Sequence, residues 1–305
     1  LYGLSIGIVV PIWAEFLNKT TLISERGRFF GLGFAFNSIG SFIGGIALRV
    51  LLNSDIPFPK NFGIGFIVLF VSLTLGTLIF WFYRVKPATN IYRRRTIKEF
   101  ITETKQIVTG HRNFQKYLLS RIFFCASLPG MGLYAIYCQN KFDFDISEAG
   151  IFTVLNVIAS GTTSYLVGKL GDRWGHKSGM MIAYVAHFSA VILAINAQNM
   201  YWVYGIFMAI GAGQGAFMPS AMNLVYDFAE ERDTKTYMAI IDSFMAPFVV
   251  LFLAGIGFLV QQNNYFLVLN ILGGCLLFSI ILLHFLVQDP RHSKEPAIYV
   301  DGFSS

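Results

Sequence analysis

The sequence predicts an all-α membrane protein, a bundle of apolar helices joined by short charged loops. Three observations carry this. Of 305 residues, 55% are hydrophobic and only 13% charged, against about 25% charged in a soluble domain. Nine apolar segments reach the length of roughly 20 residues that a helix needs to cross a bilayer. The basic residues gather in alternate loops, as they do in proteins oriented by positive charge on one side. These features exclude a disordered or fibrous chain. The net charge of +6 is scattered over inter-helix loops and is no nucleic-acid footprint.

The expected spans are 2–17, 29–52, 62–83, 114–138, 149–167, 178–197, 201–228, 236–260 and 265–287. Leu1 opens directly into apolar sequence, so the chain is expected to be truncated. Pro11 in the first span precedes the basic turn Ser24-Glu25-Arg26-Gly27-Arg28. The second span carries Gly40-Ser41-Phe42-Ile43-Gly44-Gly45, small residues at four-residue spacing that let helices approach closely in lipid. After the third span comes a long basic stretch containing Arg93-Arg94-Arg95. Beyond it, Ile97, Phe100, Ile101, Thr104, Ile107 and Val108 share one helical face, with Lys98, Glu99, Glu103 and Lys105 elsewhere. That pattern predicts an amphipathic helix along the inner leaflet, a solvated coil being the alternative.

The span 201–228 contains Gly211-Ala212-Gly213-Gln214-Gly215 and Pro219. No strand precedes these glycines and the helix around them is apolar, so a phosphate-binding loop is excluded. They are expected to let the helix bend or pack closely. Pro219 is followed by Glu230-Glu231-Arg232-Asp233, an echo of Pro11 and the Glu25-Arg26 turn that suggests two related halves. Cys125, Cys138 and Cys275 lie in apolar runs without a CxxC pair, which points to buried thiols.

Orientation follows from the loops. One side holds Lys19, Arg26 and Arg28, the basic stretch from Arg84 to Lys116, then Lys169, Arg173 and Lys177, and later Arg232, Lys235, Arg291 and Lys294. The other holds only Arg49, Lys60 and Lys141. This asymmetry puts the charged stretch 168–177 and the C-terminus in the cytoplasm.

That stretch, Gly168-Lys169-Leu170-Gly171-Asp172-Arg173-Trp174-Gly175-His176-Lys177, is expected to be a tight loop between two spans. Its pattern, G-x-L-x-D-R-x-G-x-K, resembles the signature loop of the major facilitator superfamily of transporters, with His176 where Arg is commoner. The resemblance implies a major-facilitator-like helical bundle of twelve helices, of which the nine spans match four to twelve. It implies a partial N-terminal lobe of three helices at 1–86, a cytoplasmic linker at 87–113, a six-helix C-terminal lobe at 114–288 and a tail at 289–305. It further implies secondary active transport of a small solute by alternating access. The signature would then act as a conformational gate through Gly168, Asp172, Arg173, Gly175 and Lys177. Its partner would be the turn holding Glu25, Arg26 and Gly27, with Asp172 against the N–H groups or Arg side chains there. The glycines of the second span resemble the helix-five motif of drug–proton antiporters, but Phe36 replaces its first glycine and Ser41 its proline.

Ionisable groups inside spans are costly and therefore functional candidates. Arg121 and Asp242 lie at similar depth from the cytoplasmic face, and an intramembrane ion pair between them would relieve both desolvation costs. Asn37, Tyr134, Tyr137, Asn156, Gln214 and Asn223 are the candidate substrate contacts, packing or interfacial anchoring being the alternative for each. His187 is read as a packed histidine, and Glu15, Asp227 and His284 as interfacial groups. No cofactor or metal site is expected, and no enzyme motif is present. The expected partners are a small-molecule solute, a coupling proton and the lipid bilayer, for a monomer in a bacterial inner membrane. The competing reading is a receptor or scaffold that keeps the fold without transporting.

Overall fold

The computed structural model describes residues 13, 16–17, 20–22, 25–52, 54, 56–57, 59–82, 96–128, 130–144, 148–229 and 234–292. Most of the first expected span, with Pro11 and Glu15, lies outside the described residues, as do Arg93–Arg95 and the Glu230–Asp233 turn. Among the described residues the protein is all-helical. The helices are α1 (Arg26–Leu52), α2 (Lys60–Ile79), α3 (Ile97–Gly110), α4 (Arg112–Phe124), α5 (Gly130–Phe142), α6 (Glu148–Trp174), α7 (His176–Asn196), α8 (Met200–Phe228), α9 (Thr234–Gln261) and α10 (Tyr265–Ile281). Seven helical stretches are long and apolar enough to cross a membrane, and the chain is a multi-pass membrane protein.

Helix α8 is not one of the seven, although its 29 residues are ample for a crossing. Gly211, Gly213, Gln214, Gly215 and Asn223 dilute its hydropathy. The reason is its position: Ile206, Ile210, Ala216 and Leu224 are fully buried. A helix surrounded by other helices need not match lipid. Helix α2 is the opposite case, with Phe66, Ile67, Phe70 and Leu73 all exposed.

The expected span 114–138 is two helices. A 3₁₀ turn at Cys125–Ser127 ends α4, and α5 starts at Gly130. Pro129, between them in sequence, has no N–H with which to continue the helical ladder. The amphipathic helix expected after the third span is present as α3. Thr96 and Glu99 close a reciprocal cap at its start: Thr96 Oγ1 accepts from the Glu99 N–H, and the Glu99 carboxylate accepts from the Thr96 N–H. Ile107 is buried against the bundle while Ile101 stays exposed.

Packing is organised around α6, which lies between α1 and α8. On one side Gly31 sits over the Ser164 carbonyl and the Gly168 Cα, while Gly168 faces the Gly27 carbonyl. On the other, Gly211 and Gly215 lie on the backbone of Asn156 and Ser160, and Ser164 Oγ donates to the Gly215 carbonyl at 2.8 Å. A Cβ at any of these glycines would collide with backbone. Small residues at four-residue spacing thus bring three helices into backbone contact, as lipid-embedded helices require. The small-residue stripe expected in the second span does not serve this purpose here: Gly40, Gly44 and Gly45 meet open space among the described residues.

At one end of the bundle, Phe114, Tyr117, Phe228 and Tyr237 form an aromatic cluster with ring centroids 4.9 Å apart for Phe114 and Tyr237. His111 joins it at the α3–α4 junction, its Nδ1 3.3 Å from the Tyr237 hydroxyl. Asn113 ties the start of α4 to the chain beyond α10, donating to the Gln288 carbonyl at 2.9 Å and accepting its N–H at 2.8 Å.

Replacing Gly31 by Leu should therefore destabilise the bundle by overpacking, on the order of 1–3 kcal/mol. Gly33→Leu, where a Cβ meets open space, should be nearly neutral. Thermal unfolding of the two variants in detergent checks the contrast, and equal midpoints would refute the seam.

Candidate gate and cavity

The charged stretch is not a loop. Helix α6 continues through Gly168 and Asp172 to Trp174, and the whole reversal rests on Gly175, whose φ of +86° is accessible to glycine. Helix α7 resumes at His176. A helix end can present these charges to the interface without unwinding. The same holds for the basic turn across from it: Arg26, Gly27 and Arg28 are the first turn of α1 rather than a loop before it.

That first turn contains no acidic residue of its own, and the N–H groups of a helix start have no intrahelical acceptor. Asp172 supplies one from another helix. Its Oδ1 accepts the Gly27 N–H at 2.7 Å and its Oδ2 accepts the Arg28 N–H at 2.7 Å. A carboxylate at a helix N-terminus gains both hydrogen bonds and the favourable end of the helix dipole. Gly27 is required for this approach, because a Cβ there would strike the Asp172 carboxylate.

The other gate candidates divide. Arg26 is buried, its guanidinium 4.7 Å from the Tyr226 ring centroid and its Nε 3.2 Å from Thr21 Oγ1. Lys177 reaches the His284 carbonyl at 3.1 Å. Glu25 and Arg173 are exposed, Arg173 lying beside Trp174.

A second layer was not anticipated. Arg291, beyond the last helix, donates to the Gly171 and Asp172 carbonyls at 3.2 and 3.3 Å, capping the free end of α6. It also pairs with Asp227 at the end of α8 at 3.2 Å and meets His176 Nε2. Asp289 lies where a side chain on Gly175 would stand. Asp172 is thus held from behind while it grips α1 in front. Nothing in the spacing of Asp227, Asp289 and Arg291 signals this convergence.

About 10 Å along α1 from the clasp, by helix rise to Phe34, a cavity of about 780 Å³ opens between α1, α4, α6, α8 and α9. Asn37 and Ser38 line it from α1, Ser160 from α6 and Gln214 from α8. Phe34, Phe124 and Phe217 supply aromatic wall, and Arg121 and Asp242 the charges. Of the candidate contacts, Asn37 and Gln214 face this space. Tyr134, Tyr137, Asn156 and Asn223 do not line it. Tyr134 is buried in the core, and Tyr137 donates to the Ala194 carbonyl at 3.1 Å. Asn156 donates to the Phe207 carbonyl at 3.3 Å, and Asn223 to the Pro219 carbonyl at 2.8 Å within its own helix. Helix polarity alone could not separate these packing amides from cavity amides. His187 packs edge-on against Phe124 at 5.4 Å, as a packed histidine should, yet it also borders the cavity.

The expected Arg121–Asp242 ion pair is not formed. Both groups line the same cavity and Arg121 acts on Asp242 through space. The guanidinium instead lies over the Phe217 ring, 4.5 Å from its centroid, with Nε and Nη1 buried and lacking hydrogen-bond partners. Asp242 is exposed to the open volume. Cation–π contact and access to solvent each relieve part of the cost that direct pairing would have relieved. Among the described residues no cluster of three His, Cys, Asp or Glu side chains is placed to hold a metal ion.

Asp172→Ala should leave two N–H groups of α1 without their carboxylate, a loss on the order of 1.5–3 kcal/mol for bonds to a charged acceptor. Hydrogen exchange at Gly27 and Arg28 should accelerate by about tenfold or more. Unchanged protection at those two amides would show that the clasp does not hold the helix start.

Comparison with known proteins agrees with this arrangement. The family model described as Major Facilitator Superfamily matches residues 117–301. The chain is 24% identical over 229 residues to the tetracycline resistance protein, class B, of Escherichia coli. That alignment covers 72% of this chain and 54% of the relative, so the chain spans about half the length of the curated relative it matches. With more than half of its residues matched by the family model, the chain belongs to the Major Facilitator Superfamily.

Proposed function

We propose that the protein is a secondary active transporter that moves a small solute by alternating access, with the Asp172 clasp as its cytoplasmic gate. The observation that carries this reading is the arrangement of one carboxylate across two helix groups. Asp172 grips the first turn of α1, and the cavity begins deeper along the same helices. In this reading 1–86 contributes to one lobe, 87–113 links the lobes, 114–288 forms the second lobe and 289–305 is a tail. Arg291 and the α3 linker move with the second lobe. The C-terminus lies in the cytoplasm, as the basic loops favour, in a bacterial inner membrane.

Rocking of the lobes would break the clasp and open the cavity to the cytoplasm. The bonds it loses are few and charge-assisted, so the closed state can be held by a few kcal/mol and released by modest differential binding. A proton at Asp242 is the proposed coupling ion, since this carboxylate faces the cavity and Arg121 together.

Tetracycline, named in the relative, is the first cargo to try. Its movement into or out of membrane vesicles containing the full-length protein, under an imposed proton gradient, is the direct assay. Cysteines placed at positions 28 and 172 should lock the gate on oxidation, stopping gradient-driven movement, and reduction should restore it. Full movement with the oxidised pair would refute the gate. Asp242→Asn should abolish the response to the pH gradient, and an intact response would remove the proton assignment. A protein that binds cargo and moves none would instead be a receptor on the same fold.

A further inference from the structure

The segment after the last helix is built to hold one side chain. Asn113, at the start of α4, fixes both backbone groups of Gln288. Its amide donates to the Gln288 carbonyl at 2.9 Å, and its oxygen accepts the Gln288 N–H at 2.8 Å. Asp289 Oδ1 then accepts the Arg291 N–H at 3.1 Å, and Pro290 opens a short 3₁₀ turn, Pro290–His292. The chain direction around Arg291 is therefore set by a side-chain turn and a fixed φ. From there the guanidinium spreads over three helices. Nε faces both Asp227 oxygens at 3.2 Å, near the end of α8. Nη1 donates to the Gly171 and Asp172 carbonyls of α6, and Nη2 donates to His176 Nε2 at the start of α7. Arginine has donors only, so the imidazole accepts and is neutral. Gly171 makes room for this ring, since a Cβ there would strike it.

The turn held in this way is weak by itself. The last carbonyls of a helix lack intrahelical donors, and glycine at 171 and 175 raises the conformational cost of keeping that turn wound. Asp172 stands between them. Its carbonyl is held by Arg291 while its carboxylate reaches Gly27 and Arg28 of α1. A short side chain keeps two bonds at 2.7 Å only while its own backbone is fixed. We propose that Arg291 is a positioning residue for the clasp: its planar fork keeps the last turn of α6 wound and so aims the Asp172 carboxylate at α1. It acts through Asp172, and its meaning for transport rests on the clasp being the gate.

The test reads amide exchange at Gly27 and Arg28 in the full-length protein in nanodiscs. Arg291→Ala should accelerate both amides roughly fivefold, the effect of one net hydrogen bond. Ala190 and Ile206, buried in α7 and α8, should keep their wild-type rates. Arg291→Lys retains the charge without the fork and should accelerate the two amides nearly as much. Arg291→Ala added to Asp172→Ala should bring no further acceleration at Gly27 and Arg28, because no carboxylate is then left to aim. Wild-type rates at the two amides in Arg291→Ala overturn the inference. So does equal acceleration at Ala190 and Ile206, full protection in Arg291→Lys, or an added effect in the Asp172→Ala background. Should Arg291→Ala fail to fold, Arg291→Lys decides by the same two pairs of amides. The gate itself is read separately, by the oxidised cysteine pair at positions 28 and 172. Faster exchange in Arg291→Ala, with full movement through the oxidised pair, would keep the positioning role and remove the gate. Wild-type exchange in Arg291→Ala, with movement stopped by oxidation, would do the reverse.

Discussion

Backbone-to-backbone contact along α6 is the constraint on which the rest of the structure depends. In lipid, apolar side chains gain little by turning from acyl chains to one another, so helices associate through close packing and hydrogen bonds. Gly27, Gly31 and Gly168 provide this on one side of α6, and Gly211 and Gly215 on the other. The Ser164 hydroxyl adds a bond to the Gly215 carbonyl. Each of these glycines would be unfavourable in an exposed helix and is hard to replace here, where a Cβ would collide with the neighbouring helix. Because α6 touches both neighbours at this distance, a shift of α1 against it is a shift of discrete contacts rather than a gradual loosening.

The same close approach makes the Asp172 contact possible. A carboxylate side chain is short, and it reaches the N–H groups of another helix only where the two backbones nearly touch. Arg291 adds a second level by binding the carbonyls at the end of α6. The positive end of α1 meets Asp172, and the negative end of α6 meets Arg291, so both helix dipoles are matched by charges from elsewhere in the chain. His176 and Asp227 complete the support around Arg291. This explains how a motif of a few residues joins the end of α6 to the start of α1. Its grip comes from the geometry of helix ends, not from its charge count.

Inside the cavity the logic reverses. At the clasp the Gly27 and Arg28 N–H groups meet the Asp172 carboxylate, whereas two buried guanidinium nitrogens of Arg121 have no hydrogen-bond partner. The broken α4–α5 segment contributes to this space through Cys125, Ser127 and Leu128, where the helix has ended and the wall is irregular. Irregular backbone within a membrane is tolerated where it faces protein or a polar cavity.

Sequence alone determined the class of protein and the order of its membrane segments, and it singled out Asp172. Those properties come from local composition, from charge on either side of an apolar run and from one dense motif. The family resemblance pointed Asp172 at the turn beginning with Glu25, and its hydrogen bonds to Gly27 and Arg28 lie there. Other features were not legible. The signature stretch reads as a loop because it is charged and rich in glycine, yet it is helical, since helix ends tolerate both. Asn37 and Asn156 look equivalent in sequence, but rotation of their helices turns one into the cavity and the other onto α8. Arg121 and Asp242 share a depth without sharing a bond, because depth along a helix says nothing about side-chain direction. Arg291 carries no motif at all. Which charges meet was decided only by the tertiary structure, where glycine seams set the distance and rotation of each helix against the next.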